Sequence, residues 1–217
     1  MAIRVLLMTQ WFDPEPTFKG LVFARELVSQ GFDVEVVTGF PNYPGGKIYP
    51  GYKMRMLQKE MIDGVNVTRV PLYPSHDKSK FGRILNYCSF SISLILYSLF
   101  CKRPDVIYSY HPPLTVGVGA AIIGLCRRVP VVNDVQDMWP DTLRSTGMIS
   151  NKSVLSVVGS VCAWVYKRST KIVVLSPGFK TLLIERDVPS EKIEIIYNWC
   201  AEDYVSQSQD LNKPVFK

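Results

Sequence analysis

Residues 3–38 constrain the fold more than any other stretch of the chain. An apolar run at 3–8 leads into a loop holding Pro14 and Pro16. Helical spacing then covers 18–30, with Leu21, Ala24, Leu27 and Val28 on one face. Gly31 supplies a C-cap, and a second apolar run follows at 34–38. A strand, a helix and a strand in this order pair the two strands in parallel through a right-handed crossover. A parallel sheet has to be covered on both faces, so the rest of the chain must alternate strands with helices. Further strands are expected at 55–61, 65–70, 105–110, 129–132, 171–175 and 193–197. Helices are expected at 81–101, 113–128, 152–168 and from Ser176 to about 186. Asp63-Gly64 marks a hairpin turn between the third and fourth strands. The expectation is an α/β chain: a single Rossmann-like, doubly wound, mostly parallel sheet over residues 1–200, with a polar linker or tail at 201–217.

The segment 130–141, PVVNDVQDMWPD, is where chemistry is first sought. An apolar strand breaks into three acids, two amides and a tryptophan, and in such sheets ligands bind beyond the carboxyl ends of the strands. Asp134, Asp137 and Asp141 are close in sequence, and carboxylates held together perturb one another's pKa. The alternative is a capped turn, since Asp141 after Pro140 is ordinary helix-start chemistry. His111 follows the strand at 105–110 and faces the same sheet edge, as a functional group or as a cap for the next helix. Lys19 and Gly20 open the first helix, where backbone N–H groups and an ammonium make an anion site, or where a Lys serves solubility alone.

Other features narrow the field. The 217 residues carry a net charge of +6, which suits nucleotides, phosphates, acidic lipid or nucleic acid without choosing among them. Five cysteines lack any CxxC pairing, and two histidines exclude a multi-His metal site, so neither a disulfide framework nor a zinc framework is expected. Gly117-Val118-Gly119 is half of a dinucleotide fingerprint, but it lies inside a helix and lacks the third glycine; close packing explains it better. Glu194 and Glu202 are a chance pair. The loop at 40–52, dense in Pro, Gly and Tyr, is long for a connector and hence functional or mobile. The helix at 81–101 is apolar but interrupted by Asn86 and four serines. It reads as a buried outer-layer helix or as a membrane-surface helix, with Lys78, Lys80, Arg83, Lys102 and Arg103 suited to anionic lipid.

The N-terminal run through PNYPGG, with PDVIYSYHPPL, VPVVNDVQDMWPD and KIVVLSPGFKTLLIERDVPSEKIEIIYNW, resembles the amino-terminal domain of bacterial retaining GT-B glycosyltransferases of family 4. In pattern it is nearest to O-antigen and capsule transferases of the fucosamine type. The resemblance implies the amino-terminal, acceptor-side half of a GT-B fold, with the donor-binding domain absent from these residues. It implies sugar transfer from a nucleotide-sugar to a polyprenyl-diphosphate-linked sugar, in the cytoplasm at the inner membrane face, with peripheral membrane contact. Trp11, His111, Trp139 and Asp141 would line the acceptor side, Asp137 would stand nearest the chemistry, and Lys19 and Gly20 would face the donor phosphates. No cofactor, metal or nucleic acid is expected. Relatives often carry His where Gln136 stands, and an amide cannot serve as a base. The alternatives are a truncated or split half-protein that needs a separate donor-binding domain and has no activity alone, or another nucleotide-binding α/β module.

Overall fold

The computed structural model describes residues 2–75 and 80–198. Strand β1 (Arg4–Met8), helix α1 (Leu21–Ser29) and strand β2 (Asp33–Gly39) form the first crossover unit. Strands β3 (Gln58–Ile62) and β4 (Val65–Val70) form the hairpin, turned by Asp63 and Gly64 at φ of 47° and 82°. Two positive φ values in succession are what a two-residue turn of this kind demands. Helix α2 (Lys80–Phe100), β5 (Val106–His111), α3 (Leu114–Arg127) and β6 (Val131–Val135) follow. The chain continues with α4 (Asp141–Ser145), α5 (Lys152–Arg168), β7 (Lys171–Val174), α6 (Pro177–Ile184) and β8 (Ile193–Ile195).

The eight strands make one sheet in the order β3-β4-β2-β1-β5-β6-β7-β8. Every pairing is parallel except the β3–β4 hairpin at the edge. Strand β1 shows why this sheet is covered on both faces. Its Leu7 sits with Val36 and the α1 residue Ala24, whereas Leu6 and Met8 sit with Phe90, Leu94 and Ala120 of α2 and α3. All of these side chains are fully buried. The glycines of α3 serve packing, as the sequence implies. A Cβ at Gly117 would lie 3.2 Å from Val165, and one at Gly119 would lie 3.1 Å from Leu94.

Several boundaries differ from expectation. Strand β6 does not stop at residue 132 but continues through Asn133, Asp134 and Val135, so Asp134 is a buried strand residue. Helix α1 begins at Leu21 rather than Phe18, because the Asp13 carboxylate accepts the Leu21 N–H at 2.6 Å. Strand β8 ends at Ile195, two residues early. The expected linker at 201–217, with Glu202, and His76 and Lys78 lie outside the described residues.

Candidate functional site

Strands β1 and β5 are neighbours, but their crossovers leave in opposite directions, to β2 and to β6. A crevice opens at such a switch point, beyond the carboxyl ends of the strands. Here it is a cleft of about 770 Å³. Its walls come from the β1–α1 loop (Trp11, Gly20), the 40–52 loop (Tyr43), β5 (Tyr110) and the segment after β6 (Gln136, Asp137).

Aromatic rings form one side. The Trp11 and Tyr43 rings lie 4.7 Å apart at 34°, and Tyr87 of α2 meets Trp11 edge-on at 6.4 Å. Tyr43 belongs to the loop marked by its Pro, Gly and Tyr content, and Glu15 explains how that loop is held. The Glu15 side chain is 3 % exposed and accepts the backbone N–H groups of Asn42 (2.8 Å), Tyr43 (2.7 Å) and Phe12 (3.3 Å). Burial pushes its carboxyl up to about 7, against those three donors, which favour the anion. Glu15 therefore clasps the 40–52 loop to the β1–α1 loop. Sequence reasoning missed it, and a lone Glu between two prolines carries no signal for such a role.

The floor is a buried ion pair. Lys19 is bonded to Asp134, and both side chains are shut from solvent at 1 % and 0 % exposure. The Tyr108 hydroxyl donates to the same carboxylate at 2.5 Å. The rings of Phe23, Tyr108 and Tyr110 stand 5.8, 5.8 and 6.0 Å from the ammonium. Lys19 is thus turned into the floor and not toward the cleft, where the expectation of a phosphate-facing ammonium had put it. Gly20 does line the cleft. It has no room for a side chain, since a Cβ there would lie 2.2 Å from the Asp13 carboxylate that caps α1.

Gln136 carries the floor to the rim. Its amide nitrogen donates to Asp134 at 2.5 Å, and its carbonyl accepts from Asn198 at 2.8 Å. The amide thus connects Asp134 in the floor to Asn198 at the rim. Next to it, Asp137 is half-buried on the cleft wall, and burial raises its carboxyl above the usual range. The cause is desolvation, not a neighbouring carboxylate: the three acids of the segment are separated. Asp134 is in the floor, Asp137 in the cleft, and Asp141 heads α4 in an ion pair with Arg186. Trp139 packs beside the β6–β8 core and its carbonyl accepts from Arg186 at 3.0 Å. Neither Trp139 nor Asp141 is among the cleft-lining residues. The expectation for His111 concerns a side chain outside the described residues; its neighbour Pro112 lines the cleft. Glu194 is exposed and paired with Lys171 at 2.7 Å, and that ammonium lowers its pKa. Among the described residues no three His, Cys, Asp or Glu side chains converge to hold a metal.

Comparison with known proteins agrees with this architecture. Residues 21–199 match the family described as the glycosyl transferase 4-like domain. WcaI of Escherichia coli (strain K12), assigned to glycosyl transfer in colanic acid biosynthesis, is 26 % identical over 180 residues, 80 % of this chain and 44 % of that protein. Anabaena HepE in complex with UDP and glucose superposes with a TM-score of 0.55 at 15 % identity, covering 96 % of this chain and 50 % of that one. Sucrose-phosphate synthase from Thermosynechococcus elongatus gives 0.58 at 13 %, covering 98 % and 53 %. The chain therefore spans about half the length of these relatives.

Proposed function

Since the chain belongs to the glycosyl transferase 4-like family, we propose that it is the acceptor-side, amino-terminal domain of a two-domain GT-B glycosyltransferase. The observation that carries this reading is a cleft at the topological switch point lined by a carboxylate, an amide and a tilted aromatic pair. Aromatic faces suit the C–H face of a pyranose, and Asp137 suits a sugar hydroxyl. The reaction is transfer of a sugar from a nucleotide-sugar to a polyprenyl-diphosphate-linked sugar, with retention of configuration and no metal. The pathway class is cell-surface polysaccharide, O-antigen or capsule, which the likeness to WcaI supports. A deoxyaminosugar donor of the fucosamine type is assigned by sequence resemblance alone. The setting is the cytoplasm, at the inner membrane face.

Position in the fold supports the following roles. Asp137 is the residue nearest the chemistry: a half-buried carboxylate of raised pKa can take a hydrogen bond from the acceptor hydroxyl and orient it. Trp11 and Tyr43 hold the acceptor ring. Gly20 lets the backbone of the first loop approach the donor phosphates. Lys19 acts below, by fixing Asp134 and through it Gln136. A second Rossmann-like domain supplies the nucleotide site, so the 217 residues alone turn over negligibly.

The test is radiolabelled transfer from a panel of UDP- and GDP-sugars to a polyprenyl-diphosphate-linked acceptor. It uses this chain alone and joined to the coding sequence downstream of it. The joined protein transfers, with chelator present or absent, and Asp137→Asn lowers its rate by roughly 10²-fold or more with the unfolding midpoint unchanged. Multiple turnovers by the 217 residues alone, or an unchanged rate in Asp137→Asn, would refute the assignment.

A further inference from the structure

Helix α2 is inverted relative to a helix facing water. From Phe81 to Phe100 each exposed position is apolar or cysteine: Phe81, Ile84, Leu85, Cys88, Ile92, Leu96 and Phe100. Apart from Cys88, these side chains are 37 to 87 % exposed. Its polar residues Asn86, Ser91 and Ser98 are buried instead. Asn86 accepts from Gln10 at 2.5 Å and donates to the Tyr73 carbonyl at 2.7 Å, and Ser91 donates to the Thr115 carbonyl at 2.8 Å. At about 100° per residue the exposed set covers an arc of roughly 160°, a continuous apolar stripe. Leu125 and Cys126 of α3 are exposed too. A patch of this extent marks a surface that something covers.

The stripe cannot leave the protein to span a bilayer on its own. Phe90 and Leu94, on its other side, are fully buried in the core shared with β1 and α3. The charge around it selects the occupant. No Asp or Glu occurs from Lys80 to Pro104, nor from Leu114 to Arg128. Lys102, Arg103 and Arg128 are exposed at the far end of the stripe. Two copies paired face to face on a two-fold axis would gain apolar burial, but the acids near that end, Asp105 and Asp33, are already bonded to Arg4. An anionic lipid surface supplies both the apolar layer and the negative headgroups.

We propose that the outer face of α2 docks the protein flat on an anionic bilayer, with the apolar stripe below the headgroups and the basic end among them. The membrane setting is part of the function proposed above; the surface and its orientation come from the fold. The helix is about 31 Å long and runs along the sheet. Its first turns lie at the cleft, where Tyr87 meets Trp11 and Asn86 meets Gln10. Its last turn leads to the opposite sheet edge, where β5 starts beside β1. With α2 flat on the bilayer, the cleft rim at its N-terminal end lies at headgroup level. A lipid-linked acceptor enters the cleft from that end.

Vesicle flotation of the full chain tests this, comparing phosphatidylcholine vesicles with and without phosphatidylglycerol. The protein floats with the anionic vesicles and much less with the neutral ones. Ile92→Asp with Leu96→Asp lowers the bound fraction roughly tenfold or more with an unchanged circular dichroism spectrum, as loss of two apolar anchors demands. A Leu96→Trp variant guards against misfolding: its emission shifts to the blue with anionic vesicles and is quenched by bromine-labelled acyl chains. Failure of the chain to float with anionic vesicles overturns the proposal. So does flotation unchanged by the double Asp variant, or a dimer in solution that this variant splits. Flotation measures no transfer, so either reading can fail while the other stands.

Discussion

Lys19→Met isolates the buried pair on which the cleft floor rests. Lys19 and Asp134 are both shut from solvent, 115 residues apart in sequence. Removing the ammonium leaves the Asp134 carboxylate with Tyr108 and Gln136 as donors but with no countercharge. Stranding one member of a buried ion pair costs about 3–5 kcal/mol. For a domain of this size that lowers the melting temperature by roughly 10 °C. Asp134→Leu strands the cation and costs about the same. The double variant Lys19→Met/Asp134→Leu strands no charge. It leaves the Tyr108 hydroxyl and the Gln136 amide to find water, for about 1–3 kcal/mol. Urea unfolding, followed by tryptophan fluorescence and by circular dichroism, gives the three free energies at one pH. The double variant is expected to be more stable than either single variant. Losses that simply add would show that the two groups do not interact, and the floor would need another explanation.

Gly20→Ala places a Cβ where the Asp13 carboxylate caps α1, so it costs about 1–3 kcal/mol by thermal unfolding, with Asp13→Ala in the same background restoring little. Glu15 gives the chain a pH signature. Its folded pKa of about 7 lies above the 4.5 of the unfolded chain, so the folded state holds more protons between those values. Its contribution is therefore full below pH 4.5 and lost as pH rises to 7, on the order of 3 kcal/mol at most. In Glu15→Gln that part of the pH profile disappears, and an identical slope in variant and wild type would reject the clasp as its source.

The repeating order of strands and helices was legible because burial on both faces leaves apolar runs that composition alone reveals. What sequence could not show were features fixed by residues far apart. Strand β6 carries Asn133 and Asp134 past the expected end of the run because Lys19 arrives from the first loop to neutralise the acid. The three acids of the 130–141 segment looked like one cluster by their spacing. A strand, a loop and a helix start send them to three places. Trp139 and Asp141, expected on the acceptor wall, meet Arg186 just past α6 for the same reason. Trp11 and Asp137 were legible as cleft residues because each lies within three residues of the carboxyl end of a strand. Tyr43 was visible only as part of an unusual loop, since its place depends on Glu15. The apolar character of α2 was plain, but which face the sheet buries is decided by packing and not by composition.

The cleft bearing Trp11 and Asp137 is proposed above as an acceptor-sugar site. The most direct measurement is the ¹H–¹⁵N spectrum of the labelled chain, titrated with a short-chain polyprenyl-diphosphate-linked sugar. The Trp11 indole N–H is expected to shift saturably while that of Trp164, on α5, stays in place, and Asp137→Asn weakens the titration. A Trp11 signal that never moves, or one that moves only with the free nucleotide-sugar, would rule out acceptor binding in this cleft.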